Sequence, residues 1–186
     1  MVVSDFRTGN GADWLDLLAT KLGRYRRQSV EMLADPAALR AWFAEHGMEP
    51  AADVTGSDLT ATHALREALH RAAVATLDGR PVDAHDLTIL QDTLAADQSV
   101  DVQRDGARLE LSRPADAAVA LAWLARQAAL DLTGPTRERL HACGDATCSG
   151  IFIDHTGRRR WCSDERCGVR ARVRAHRARE RERTSG

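Results

Sequence analysis

The stretch that decides the fold near the C-terminus reads Cys143-Gly-Asp-Ala-Thr-Cys148-Ser-Gly-Ile-Phe-Ile-Asp-His-Thr-Gly-Arg-Arg-Arg-Trp-Cys162-Ser-Asp-Glu-Arg-Cys167. All 4 cysteines of the 186-residue chain lie here, in the pattern Cys-x4-Cys-x13-Cys-x4-Cys. A disulfide framework would normally also link the preceding residues, which contain no cysteine. The clustering therefore favours a local metal site.

Zinc is the metal that this donor set predicts, because Zn²⁺ takes four tetrahedral thiolates at comparable spacings. Four protein ligands leave no open position for a catalytic water, so we interpret the site as structural. Two disulfides, redox-active thiols and an iron–sulfur cluster remain alternatives, as does a ligand role for His141 or His155. The predicted zinc ligands are Cys143, Cys148, Cys162 and Cys167.

The residues between the two cysteine pairs predict a short hairpin. Ile151 to Ile153 form a strand, residues 155–157 a turn, and residues 159–161 the returning strand. Cys167 would then lie in the first turn of a helix, where the helix dipole favours a thiolate. A hairpin between ligand pairs, followed by a helix, is typical of a treble-clef-like zinc module.

An arginine-rich helix is predicted downstream of Cys167, where arginine alternates with alanine, since both are strong helix formers. Arginine occupies so much of the circumference that this helix cannot be buried. Guanidinium groups bind phosphate oxygens and stack on bases, which favours contact with nucleic acid. The predicted contact residues are Arg158, Arg159, Arg160, Arg170, Arg172, Arg174 and Arg177.

Charge is distributed unevenly along the chain. Residues 137–186 hold 13 Lys and Arg against 7 Asp and Glu, a balance of +6. Residues 1–136 hold 13 against 20, a balance of −7. This asymmetry supports a basic binding element on an acidic body. It also leaves an alternative, in which the basic helix is simply solvated or pairs with the acidic body of its own or a second chain.

The first 134 residues predict a mainly helical domain. Apolar residues recur at helical spacing after aspartates that suit helix caps, and alternation around Asp105-Gly106 predicts one β-hairpin, from Val100 to Leu111. Gly134-Pro135 marks the boundary to a second domain over residues 137–183. The predicted fold class is therefore mainly α: a helical domain with one hairpin, then a small treble-clef-like zinc module with a hairpin and a basic C-terminal helix. Helix starts are predicted at Asp13, Asp35-Pro36, Ser57 or Asp58, and Asp83.

Motifs for catalysis are absent from the sequence: there is no phosphate loop, nucleophile elbow or His-Glu-x-x-His, so we do not expect an enzyme. His63 and His70 share one face of a predicted helix. They could line a pocket with Arg66 and Glu67, but we interpret them as surface or rim histidines. No apolar run is long enough for a membrane span, and residues 1–11 lack a signal-peptide pattern, which predicts a cytoplasmic protein. A small-molecule pocket among Trp14, Trp42 and Trp123 is an alternative to their simple role as core residues.

The cysteine region resembles the CGNR zinc-finger proteins, bacterial proteins described as stress-induced transcription regulators whose N-terminal helical part is the ABATE domain. The resemblance rests on the cysteine spacing with Ser-Gly-Ile-Phe-Ile-Asp after Cys148, on Arg-Arg-Trp-Cys-Ser at residues 159–163, and on Cys167-Gly-Val-Arg170. Earlier segments match more loosely: Leu33 to Phe43, Leu65 to Leu69, and Arg113 to Ala118. The chain departs from the pattern at Val169, where the family has asparagine, and after Asp5-Phe6 in an N-terminal motif.

The resemblance implies a zinc-dependent, DNA-binding, stress-related transcription regulator. The zinc module would contact DNA, and the helical part would bind a small-molecule ligand or a second copy of the chain. Two other functions remain open at this point: an adaptor whose zinc module docks a partner protein, and a thiol redox sensor that releases zinc on oxidation.

Overall fold

The computed structural model describes residues 6–98 and 102–184. Helices dominate, and the strands are short and form two-stranded antiparallel pairs, which confirms the predicted fold class. The helices and strands are α1 (Asp13–Leu18), β1 (Lys21–Leu22), β2 (Val30–Glu31), α2 (Pro36–Glu45), α3 (Gly56–Leu77), α4 (Ala84–Leu94), β3 (Val102–Asp105), β4 (Arg108–Leu111), α5 (Ala117–Thr133), β5 (Leu140–Ala142), β6 (Ile151–Ile153) and α6 (Val169–Thr184). A 3₁₀-helix at Pro135–Arg139 precedes β5, and a π-helical turn at Asp164–Gly168 precedes α6.

Most helix starts follow from the capping residues in the sequence. The Asp35 carboxylate accepts a hydrogen bond from Ala38 N at 2.8 Å, and Asp83 and Asp116 cap α4 and α5 in the same way. Helix α3 begins at Gly56, slightly earlier than predicted, because Thr55 and Asp58 form a capping box around its first turn.

The first helix ends at Leu18, although Leu22 continues the helical spacing of apolar residues. Its N-cap is Ala12 instead of Asp13. The Thr20 hydroxyl donates to Leu17 O at 2.7 Å and occupies a carbonyl at the helix end. The chain then turns, and Leu22 pairs with Val30 in the β1–β2 ladder.

One hydrophobic core joins the helical domain to the C-terminal region. Trp14 and Trp42 are fully buried in it, and Trp123 packs at its edge, so these tryptophans are core residues. Ile151 and Ile153 of the cysteine region belong to the same core. The C-terminal module is therefore not an appendage on a linker, since its strand β6 is packed against the helical body.

The hairpin of the cysteine region differs from the prediction. Strand β6 pairs with β5, which precedes Cys143, and not with residues 159–161. The reason is Asp154, whose carboxylate accepts hydrogen bonds from the backbone N–H groups of Thr156, Gly157 and Arg159. These bonds satisfy the backbone N–H groups of the loop, so the segment that follows needs no strand partner.

Glycine is required where the N-terminal segment meets β6. Gly11 has φ +102°, and a Cβ there would lie 2.9 Å from Ile153 Cβ. The adjacent Asn10 carbonyl accepts a hydrogen bond from Ile153 N at 2.8 Å. Asp16 holds this segment on the helical domain through bonds to Gly9 N and Asn10 N. The N-terminal segment thus bridges the two parts of the fold.

His70 is buried in the structure, whereas we predict a surface histidine from the sequence. Burial, aided by the charge of Arg24, lowers the pKa of His70 to about 4, so the ring is neutral at physiological pH. His63 is partly exposed and contacts Leu33 O at 3.0 Å. The predicted β3–β4 hairpin forms, although Val100 lies outside the described residues. Within the described ranges, no helix has the length and apolar character needed to cross a membrane.

Candidate functional site

The four cysteine sulfurs converge on one point in the structure. The Sγ atoms of Cys148, Cys162 and Cys167 are mutually 3.6 Å apart. All four Sγ atoms, including that of Cys143, lie within 4.8 Å of one another, and none forms a disulfide. A tetrahedron with metal–sulfur bonds of about 2.3 Å separates its sulfurs by about 3.8 Å. The cluster therefore fits a single zinc ion.

The close approach of the sulfurs also shifts the pKa values of these thiols. Hydrogen bonds from Cys148 and Cys162 lower the pKa of Cys143. The hydrogen bonds to Cys143 raise the pKa values of Cys148 and Cys162, and burial raises them further. Several thiolates at this separation would repel one another, so the sulfurs cannot all be ionised without a counter-charge. A divalent cation at their centre would supply it.

Backbone hydrogen bonds hold the ligand loops in shape. Cys143 N donates to Gly150 O at 2.8 Å, which ties the first cysteine to the residue before β6. Cys148 N donates to Asp145 O at 2.7 Å, which closes a tight turn. Gly150 N and Cys162 N point at ligand sulfurs, the first at 3.3 Å from Cys148 Sγ and the second at 3.5 Å from Cys143 Sγ. Such N–H···S contacts stabilise thiolates that bind a metal.

Gly150 is the position where a side chain would disturb the sulfurs most directly, since an added Cβ would lie 2.7 Å from Cys162 Sγ. We expect Gly150→Ala to weaken zinc binding by at least about tenfold, measured by competition with a chromogenic chelator. Gly56→Ala is the matched control, because its added methyl group meets no atom within 4 Å. Equal zinc affinity in the two variants would contradict the prediction.

Asp145 connects the basic helix to the cysteine cluster. Its side chain is fully buried, and each oxygen accepts a hydrogen bond from an arginine of α6. Arg170 Nε lies 2.9 Å from Oδ2, and Arg174 Nη1 lies 2.6 Å from Oδ1. Arg170 also donates to Cys167 Sγ at 3.0 Å, and Arg174 donates to Thr147 Oγ1 at 2.9 Å. We call Asp145, Arg170 and Arg174 the helix latch.

Electrostatics favours the ionised form of the latch carboxylate. Burial alone would raise the pKa of Asp145, but hydrogen bonds from Thr147, Arg174 and Arg170 outweigh it and hold this pKa well below its usual range. For Arg170, burial lowers the pKa of the guanidinium, but the hydrogen bond to Asp145 raises it, and the net effect is a raised pKa. The first turns of α6 are thus fixed to the finger by paired, hydrogen-bonded charges.

Arg159 is also engaged within the protein. Its guanidinium donates to Trp161 O at 2.9 Å, to Gly9 O at 2.9 Å, and to Cys162 O. It lies 4.5 Å from the centre of the Phe152 ring. Arg159 therefore braces the second cysteine pair against the N-terminal segment.

The remaining predicted contact residues are exposed. Arg160 and Arg172 lie near the Trp161 ring, at 5.3 and 5.8 Å from its centre, and Arg172 also pairs with exposed Asp164. Arg158 and Arg177 are exposed and make no ion pair with any residue that the structure describes. Val169, which replaces the family asparagine, is 45% exposed at the start of α6, where its side chain offers no hydrogen bond.

Sequence reasoning missed Asp145, Asp154 and Gly150. An aspartate two residues before Thr147 is a turn signal, and the carboxylate does accept Thr147 N at 3.1 Å. Its pairing with arginines 25 and 29 residues away has no comparable local signal. Burial alone would raise the pKa of Asp154, but bonds from Thr156, Arg159 and Gly157 outweigh it and lower this pKa to about 2.

Comparison with known proteins assigns both parts of the chain. Residues 11–135 match the family model ABATE, which carries the description "Putative stress-induced transcription regulator". Residues 139–180 match the model of the CGNR zinc finger. The curated proteins give no match to this chain. Zinc is the cofactor, given this zinc finger and the clustered cysteines. Both matches confirm the resemblance seen in the sequence, and the chain belongs to the ABATE family of transcription regulators and carries a CGNR zinc finger.

Proposed function

We propose that this chain is a zinc-dependent transcription regulator that binds DNA through α6 and the adjoining loop of residues 158–160. The observation that carries the proposal is the state of α6: it buries no residue and holds seven arginines against two glutamates, a balance of +5. An exposed helix with this charge, fixed at one end, suits the negative field of a DNA duplex.

Zinc has an architectural role in this proposal. The four ligands are Cys143, Cys148, Cys162 and Cys167, whose sulfurs would fill a tetrahedral shell. A filled shell has no position for a substrate or an activated water, so we propose binding, and not catalysis, as the activity. The zinc holds Cys167 beside the first turn of α6, and this determines the direction of the helix.

The ion pairs of α6 support a free surface for DNA. Within the described residues its carboxylate partners are Asp145 and Asp164 of the finger and its own Glu180. Acidic side chains of the helical domain are not among these partners, which argues against neutralisation of α6 by the acidic body of the same chain. Beyond Arg174, the arginines without an ion pair to any described residue are Arg177, Arg179, Arg181 and Arg183.

The predicted contact arginines divide into two groups in this proposal. Arg159, Arg170 and Arg174 position the surface through their contacts inside the finger. Each guanidinium still has further N–H groups, and Arg174 remains 49% exposed, so a phosphate contact is compatible with the latch. The exposed group, which would contact the DNA directly, consists of Arg158, Arg160, Arg172 and Arg177.

Removing charge from the free part of α6 tests the proposal. The double variant Arg177→Gln, Arg181→Gln should keep its zinc and bind a mixed-sequence duplex about tenfold more weakly near physiological salt. The slope of log affinity against log salt should become shallower by about two, one unit for each phosphate that the variant no longer neutralises. Both quantities come from fluorescence anisotropy titrations of the full zinc-loaded chain at several salt concentrations.

The matched control is Arg104→Gln, Arg108→Gln on the exposed β3–β4 hairpin, which changes the net charge by the same amount. Its DNA affinity should stay within twofold of the unmodified chain. Equal losses of affinity in both double variants would mean that net charge alone drives binding. Unchanged binding in the α6 variant, or no binding by the unmodified chain, would instead favour the adaptor function.

A further inference from the structure

A cavity lies between the helical domain and the zinc finger. Its volume is about 410 Å³, within the range of about 300–1,000 Å³ that small-molecule sites occupy. The N-terminal segment and the β1–β2 hairpin form one side, and residues 147–151 with the start of α6 form the other. A ligand in this cavity would touch both parts of the protein.

No carboxylate lines the cavity among the residues that the structure describes. The lining includes Cys148 and Cys162, whose sulfurs would bind zinc, and five cationic side chains: Arg7, Lys21, Arg26, Arg166 and Arg170. Two of these have carboxylate partners outside the wall, because Lys21 lies 3.7 Å from Glu67 and Arg170 binds Asp145. A cavity lined in this way raises the local concentration of anions.

Two cations of the wall have no carboxylate partner within the described part of the chain. The guanidinium of Arg26 donates only to a neutral oxygen, Thr147 Oγ1, at 3.3 Å. The Nε atom of Arg7 is buried without any hydrogen-bond partner. A buried donor in this state costs stability unless a ligand accepts from it, and an anionic oxygen would be the strongest acceptor.

The rest of the lining contributes an apolar side. Leu15, Leu18, Leu22, Val30 and Ile151 line the cavity together with the cations. Inorganic anions gain nothing from such a surface, whereas an organic anion buries its hydrocarbon body against it.

We infer that this cavity binds a small organic anion, in which a phosphate or carboxylate group is attached to an apolar body of about one ring. The anionic group would lie by Arg7 and Arg26, and the ring would contact the leucines. This site goes beyond the proposed DNA contact. It is also linked to the helix latch, because Thr147 Oγ1 accepts from Arg26 and from Arg174 and donates to Asp145 Oδ1.

Thermal unfolding of the full zinc-loaded chain, at constant ionic strength and without DNA, provides the test. Phenyl phosphate at 10 mM (roughly tenfold above the expected Kd) should raise the midpoint by about 3 °C. Benzoate should give a smaller rise. Inorganic phosphate lacks the ring, and benzyl alcohol lacks the charge. Each should raise the midpoint by less than one third of the rise that phenyl phosphate gives. A rise with inorganic phosphate equal to that with phenyl phosphate would overturn the organic-anion class.

Variants locate the binding site. Arg26→Gln changes an exposed side chain that the fold does not need, so its unliganded midpoint and zinc content should match those of the unmodified chain. Its affinity for phenyl phosphate, from isothermal titration calorimetry, should fall at least tenfold. Arg7→Gln should lose binding similarly, and Arg7→Lys, which keeps the charge, should retain most of it.

The control Arg104→Gln lies on the exposed hairpin and removes the same charge outside the cavity wall. Its affinity for phenyl phosphate should equal that of the unmodified chain. Full-affinity binding by Arg26→Gln and Arg7→Gln, or no saturable binding of phenyl phosphate or benzoate, would overturn the inference. Neither result depends on DNA binding, so the proposed function and this site can fail separately.

Discussion

Cys167→Ser is expected to remove zinc from the purified protein and to lower the thermal unfolding midpoint of the whole chain by at least about 10 °C. Cys167 is fully buried, and its sulfur lies 3.6 Å from those of Cys148 and Cys162. A structural zinc site contributes about 10 kcal/mol of apparent binding free energy to the folding of its module. Loss of one thiolate therefore removes most of the stabilisation of the finger.

The effect should reach the helical domain, because β6 contributes Ile151 and Ile153 to the common core. Metal content by mass spectrometry and circular dichroism melting measure the two parts of the prediction. The control is Ala146→Ser, which introduces the same hydroxyl at an exposed position of the same cysteine loop and should retain zinc. Stoichiometric zinc in Cys167→Ser would show that this cysteine is not a ligand.

Asp145→Asn is expected to release the basic helix while the zinc stays bound. The substitution keeps the size of the side chain but leaves Arg170 and Arg174 without their buried counter-charge. Removing one partner of a buried, hydrogen-bonded charge pair costs about 3–5 kcal/mol, and we expect about 2 kcal/mol here because both guanidiniums are partly exposed. Since α6 buries no residue of its own, little else holds its first turns in place.

Limited trypsin digestion measures this release, because cleavage after Arg170 and Arg174 requires local opening of the helix. Their cleavage rates should rise about thirtyfold, the factor that corresponds to about 2 kcal/mol. The matched control is Asp164→Asn, which breaks the exposed pair with Arg172 and should change the rates by less than threefold. Equal rates in Asp145→Asn and the unmodified chain would show that the latch does not hold α6.

Much of the site could be predicted from the sequence because the signals are local. The four cysteines are close together along the chain, so their spacing alone indicates one metal. The arginines of α6 occur in a helix-forming run, so their exposure follows from composition and periodicity. Asp35, Asp83 and Asp116 lie directly before helix-forming segments, and each caps the helix that follows.

The errors have a common physical origin in contacts between distant residues. The segment at residues 159–161 has a strand-like position after a turn, but Asp154 binds its backbone and β5 takes the place beside β6. We interpret His70 as a surface residue from the sequence, yet its ring is buried beside Ser149 of the zinc finger, and burial lowers its pKa to about 4. Neither outcome is encoded in the residues next to the one concerned.

The sequence by itself determined that this protein has a helical body, a zinc finger of four cysteines and a basic helix, because each follows from spacing or composition over a short stretch. Only the tertiary structure decided which arginines have intramolecular partners. In the folded chain Arg174 binds Asp145, which is 29 residues away, and Arg7 and Arg26 line the same cavity as residues of the finger. The partner of a charged side chain depends on how distant segments pack, and a linear pattern does not carry that information.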